Sequence, residues 1–182
     1  MEFPRPTGYS GRLNTEREGE VMFSTEKALS TWLKKNIPGH WCRVENVAGT
    51  GTPDMSYAVK EPDQRPGYPW HRSEGWIELK VDRRTRDPYN TPVQIKLRPA
   101  QNAWITKRVH NGGNAWVLIG MADGGLVLVP GAETQRLMAG KVVLDGSLGY
   151  VFRKDANQIR DLGTILLFGA VRPQAHGTGT KA

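Results

Sequence analysis

Two apolar runs, Ala115-Trp-Val-Leu-Ile-Gly120 and Leu126-Val-Leu-Val129, set the tightest limit on how this chain folds. A strand with one wet face alternates apolar and polar residues. Neither run does, so both fit strands covered on each side. Asp123-Gly124-Gly125 supplies the turn between them. A sheet covered on both sides needs helices, and two candidates precede the runs. The first should start at Ser24, a good N-cap, and run to about Asn36. Ala28, Leu29, Trp32 and Leu33 would form its buried face, and Pro38-Gly39 stops it. The second follows Leu97-Arg98-Pro99, carries Ala100, Ala103, Trp104 and Val109, and ends at Asn111-Gly112-Gly113. Three strands should lie between these helices, at His40–Val47, Met55–Val59 and Trp76–Val81. The order αβββαββ implies an α/β fold, a mixed central β-sheet flanked by helices. Beyond it we expect a short helix at Glu133–Met138 and strands near Val142–Leu144 and Ile165–Phe168.

A chain of 182 residues fits one domain. Residues 1–21 read as a flexible N-terminal arm, 22–171 as the domain and 172–182 as a disordered tail. The stretch 60–74, with its three prolines, reads as an excursion from the core. Lys and Arg number 25 against 18 Asp and Glu, a net charge of +7. A surplus of that sign points to a polyanionic partner, nucleic acid above all, or to a basic surface kept for solubility. The single cysteine, Cys42, excludes an intramolecular disulfide and a cysteine-rich zinc site and fits a reducing cytoplasm. No apolar run approaches the ~20 residues of a membrane span.

The chemistry concentrates in Asp54, Glu78 and Lys80. Glu78 and Lys80 stand two apart in a strand and so share a face, while Ile77, Leu79 and Val81 point the other way. Two opposite charges inside so apolar a strand are costly unless something compensates, and a divalent cation would. Asp54 follows a Gly-rich turn, Gly49-Thr-Gly51-Thr-Pro53, that allows close backbone approach. If the two strands pair, Asp54 and Glu78 converge at one end of the sheet. Two carboxylates and the Leu79 carbonyl would make an oxygen-rich site for Mg²⁺ or Mn²⁺. Lys80 beside it would orient water or neutralise charge developing on a phosphate. The bland alternative is a Glu–Lys pair on a solvated edge strand, with Asp54 as a turn residue.

Gly51-Thr-Pro53-Asp54, Trp76-Ile-Glu78-Leu-Lys80 and the helix opening Leu97-Arg98-Pro99-Ala100-Gln101 together resemble the PD-(D/E)XK nuclease superfamily. The likeness is closest to its VRR-NUC and Holliday-junction-resolvase branches and covers about residues 24–130. It implies a restriction-endonuclease-like core in which Asp54 and Glu78 bind the metal, Lys80 acts near the nucleophile and Gln101 supports the site. It makes Glu26 a further acid from the opening helix; the alternative for Glu26 is a favourable charge near a helix N-terminus. It also implies a branched DNA substrate and a homodimer, since symmetric cutting of a four-way junction needs two sites.

Arg83, Arg84 and Arg86, with Lys96 and Arg98, flank these motifs and are expected to hold phosphates. Trp70, Trp76 and Trp104 are candidates for stacking on bases, although Trp104 also suits the core. Gly49-Thr-Gly51-Thr lacks the rest of a dinucleotide fingerprint, and His40, His71, His110 and His176 show no metal-binding spacing. A Cys42–His40 nucleophile would have no orienting third group. The reading is therefore a metal-dependent DNA endonuclease of the cytoplasm. Its rivals are a non-catalytic nucleic-acid-binding module and a restriction or repair nuclease acting on linear duplex.

Overall fold

Alternation along the strands sorts side chains onto two sheet faces, and each face carries its own core. A computed structural model describes residues 22–44, 51–60, 72–84, 95–139, 148–154 and 157–168. The elements are α1 (Glu26–Asn36), β1 (His40–Arg43), β2 (Met55–Lys60), β3 (Arg72–Asp82), α2 (Pro99–His110), β4 (Asn114–Met121) and β5 (Leu126–Pro130). A 3₁₀ turn (Gly131–Glu133) leads into α3 (Thr134–Met138), followed by β6 (Tyr150–Phe152) and α4 (Gln158–Phe168). Six strands form one sheet in the order β1-β2-β3-β4-β5-β6. All neighbours are antiparallel except β3 and β4, which run parallel. Helix α2 is the crossover that a parallel pair requires. This is the mixed α/β architecture expected from the sequence.

Ile77 and Leu79 of β3, Trp116 and Leu118 of β4 and Leu126 and Leu128 of β5 meet Leu29 and Leu33 of α1 and Leu162 and Leu166 of α4. Their alternates, Val117, Ile119, Val127 and Val129, pack with Ile105 of α2 and Leu137 of α3. Every residue of β4 from Ala115 to Met121 is buried, which accounts for its unbroken apolar run. Full burial of Leu29 or Leu33 contributes about 2 kcal/mol each.

Several expectations need correction. The N-cap of α1 is Thr25, not Ser24: the Thr25 hydroxyl accepts the Ala28 N–H at 3.0 Å. Strand β1 is regular only to Arg43, although the Val44 N–H still reaches the Asp54 carbonyl at 2.9 Å. Lys60 closes β2 and Arg72–Glu74 open β3, so the proposed excursion is shorter at both ends; 61–71 lie outside the described residues. Ile165–Phe168 is not a strand but the last turn of α4. The apolar residues Leu162 and Leu166 repeat at helical spacing and seal one side of the sheet. Ala103 is exposed; the buried residues of α2 are Gln101 and Ile105. The arm at 1–21, the strand at Val142–Leu144 and the tail at 172–182 fall outside the described residues.

Candidate active site

The site forms where β2 and β3 part. Their register runs from Lys60–Arg72 to Met55–Ile77 and goes no further. Past Ile77 no strand among the described residues is in register with the β2 side of β3. There the Asp54 carboxylate takes over: its Oδ2 accepts the Leu79 N–H at 2.9 Å. The turn that delivers Asp54 passes close to α2. Gly51 has φ +107, and a Cβ on it would lie 2.3 Å from the Ala100 carbonyl oxygen. Glycine is required there on both counts.

Glu78 projects toward α2 beside Val117, its partner in β4, and is fully buried. Its Oε1 accepts from the Lys80 ammonium at 2.5 Å and from the Gln101 side-chain amide. Gln101 is itself fixed by the helix it opens: its side-chain oxygen accepts the Arg98 N–H at 3.0 Å, so one amide caps α2 and holds Glu78. Arg98 is extended, as a residue before proline should be. Lys80 also donates to the Leu79 carbonyl at 3.0 Å and meets Glu26 Oε1, from α1 on the opposite face, at 3.4 Å. Glu78 Oε2 is buried and has no hydrogen-bond partner among the described residues.

These surroundings explain the electrostatics. Burial pushes the Glu78 carboxyl up from 4.5 to about 7, and the negative charge of Asp54 adds to the push; Lys80 opposes it. For Lys80 burial acts downward, but Glu78, Glu26 and Asp54 outweigh it and hold the ammonium above its ordinary value. The pair is thus a carboxylate poised near neutrality beside a firmly charged amine.

A cleft of about 550 Å³ opens over the parted strands. Glu26, Asp54 and Leu79 line it, with Lys27, Arg43 and Arg83 among the cations at its wall. The structure places Asp54, Glu78, Lys80, Gln101 and Glu26 near one another, with Glu78, Lys80 and Gln101 behind the cleft lining rather than in it. The cations sort differently. Arg83 lines the cleft, but Arg84 is clamped through its Nε to both oxygens of buried Asp82, at 2.8 and 3.0 Å. Hydrogen bonding to that carboxylate raises its pKa. Lys96 and Arg98 are exposed at the approach to α2, away from the cleft lining, and Arg86 lies outside the described residues. Lys27 and Arg43 were missed. Arg43 adjoins no motif and Lys27 only Glu26, and it is the packing of α1 and β1 around the parted strands that brings them there.

Trp76 and Trp104 pack edge to face, 5.0 Å apart, over the second core, which favours packing over base stacking. Trp70 and His71 lie outside the described residues. Cys42 Sγ stands 3.6 Å from His40 Nε2 on the exposed edge strand.

A divalent cation fits this donor set in one specific respect. The unpartnered, buried Glu78 Oε2 lacks the positive or donating neighbour that an anionic oxygen needs. The set is lean, however: among the described residues no group of three or more His, Cys, Asp or Glu gathers to hold a metal ion. Two carboxylates and the Leu79 carbonyl would have to be completed by water or substrate oxygens.

No protein-family model matches the chain. No characterised protein matches it in sequence. Among solved structures the chain is similar to a Holliday junction resolvase from Archaeoglobus fulgidus, an archaeal hyperthermophile. The TM-score is 0.37 and the identity 17%, over 59% of this chain and 75% of that one.

Proposed function

We propose that this protein is a metal-dependent nuclease that hydrolyses DNA phosphodiester bonds, with branched DNA as its preferred substrate. One observation carries the reading: Asp54, Glu78 and Lys80 converge where β2 and β3 part, with a buried Glu78 oxygen that has no partner among the described residues. Asp54, Glu78 and the Leu79 carbonyl would hold Mg²⁺ or Mn²⁺. When bound, such a cation polarises the phosphodiester and lowers the pKa of an attacking water. The chain's own residues do the rest. Gln101 fixes Glu78, Lys80 offsets charge developing on the phosphate, and Arg83, Arg43 and Lys27 bind the strand near the cleft. Glu26 holds the Lys80 ammonium from the outer side.

A second reading, a DNA-binding module without catalysis, is favoured by the lean donor set and by Lys80 already neutralising Glu78. The two separate on an end-labelled four-way junction beside linear duplex and single strand, with Mg²⁺ and with chelator. Paired, metal-dependent nicks near the branch, lost in Glu78→Gln, are the expected result. Cutting of linear duplex alone keeps the chemistry and discards the preference for branches. Tight binding without cutting of any substrate selects the binding module. Sedimentation of the protein on an uncut junction tests the homodimer that symmetric cleavage needs.

A further inference from the structure

Helix α1 divides two depressions that meet on its first turn. One is the cleft; the other is a groove of about 510 Å³ lined in part by Met22, Phe23, Trp32 and Lys35. Thr25 and Lys27 line both, so the two lie side by side at the N-terminus of α1. Phe23 is buried and meets Trp32 edge to face, ring centroids 5.8 Å apart; Trp32 itself is half-buried and part of the groove wall. Lys27 and Lys35 are exposed. Eight residues of helix separate them, about 12 Å, roughly the rise of three to four stacked nucleotides at about 3.4 Å each.

We infer that this groove receives an unpaired stretch of the DNA strand leaving the cleft, a base resting on Trp32 and phosphates on Lys27 and Lys35. The inference rests on the nuclease reading and names the structural feature of the substrate that the site selects: a single-stranded segment beside the scissile position. Three observations favour this occupant over an apolar peptide. The groove shares Thr25 and Lys27 with the cleft that the nuclease reading assigns to phosphodiesters. Its apolar wall is bracketed by cations, which suits an anionic backbone carrying flat bases. Within α1 the one acid, Glu26, pairs with Lys80 and leaves the groove side to lysines.

The test uses the full chain in chelator, so that nothing is cut. Fluorescence anisotropy compares a duplex with the same duplex bearing an oligothymidine flap of about six nucleotides. The flap should tighten binding about fivefold or more. Trp32→Leu, which keeps an apolar contact for Phe23, should bring the flap-to-duplex affinity ratio to about 1, and Trp32→Phe should keep most of it. Lys35→Ala should make the salt dependence shallower by about 0.7 in log–log slope for the flapped DNA only. In the wild type, a flap carrying 5-iodouracil should photo-crosslink within residues 22–35. A flap ratio unchanged in Trp32→Leu, or crosslinks that map elsewhere, overturns the groove and leaves the nuclease reading standing. Crosslinking that appears only after residues 1–21 are removed makes that segment the groove's occupant and overturns the proposal. Failure to bind either DNA overturns the nuclease reading and the groove with it.

Discussion

The Asp54 carboxylate accepts the Leu79 amide at 2.9 Å just past the last registered pair of β2 and β3, Met55–Ile77. One side chain thereby serves as a backbone partner and as a candidate metal ligand. The two duties separate by substitution. Asp54→Asn keeps an oxygen able to accept the amide, so urea unfolding should change by less than about 1 kcal/mol while metal-dependent cleavage is lost. Asp54→Ala should lose cleavage and, in addition, about 1 kcal/mol or more of stability.

Glu78 should make the metal-free protein less stable as neutrality is approached. Its carboxyl lies at about 7 in the folded chain against 4.5 ordinarily. Between those values the folded state retains a proton that the unfolded state has released, so stability falls as pH rises from about 4.5 to about 7. It levels off above, and the slope is at most about 1.4 kcal/mol per pH unit. Denaturant titrations in chelator across that window should show the decline in the wild type. Glu78→Gln should flatten it.

Gly51→Ala tests the contact that fixes the Asp54 turn against α2. The new methyl meets the Ala100 carbonyl oxygen, in a backbone conformation that alanine resists. A loss of about 2 kcal/mol or more is expected. Because the same turn delivers Asp54 and the same helical turn carries Gln101, kcat should fall as well. Calorimetry and cleavage of the folded fraction measure the two effects separately.

Arg83 and Arg84 are neighbours with opposite expected phenotypes. Arg83 lines the cleft, so Arg83→Ala should weaken DNA binding evenly across sequences and reduce the salt slope by about 0.9. Arg84→Ala leaves Asp82 buried without its cation and should destabilise the fold by about 3 kcal/mol. Its salt slope should stay near that of the wild type. Equal salt slopes for the two variants would contradict this division.

The sequence made the site legible because its residues follow local rules. Glu78 and Lys80 share a face by strand alternation, Gln101 sits in the first turn of a proline-started helix, and Gly51 stands where a turn must pass close to another backbone. Elements without such markers were missed. Ile165-Leu-Leu-Phe168 is a four-residue apolar run, and a run that short fits strand and helix equally. The discriminating spacing, Leu162 to Leu166, begins earlier in a more polar stretch. Strand β6 has three residues and its pairing with β5 is entirely tertiary. Arg43 and Lys27 reach the cleft only through the packing of α1 and β1 around it.

Among the described residues, the parting of β2 and β3 leaves the second half of β3 without a strand on its β2 side. Such an edge is a template on which a foreign extended segment can add, the first step of self-association. Here Asp54 occupies the Leu79 amide and the charged Glu78, Lys80 and Asp82 lie along the strand, two features that would work against such pairing. The residues proposed for phosphate chemistry are thus the same ones that would discourage edge-to-edge pairing. Alanine at these positions would remove those features, so light scattering belongs beside every assay of such a variant.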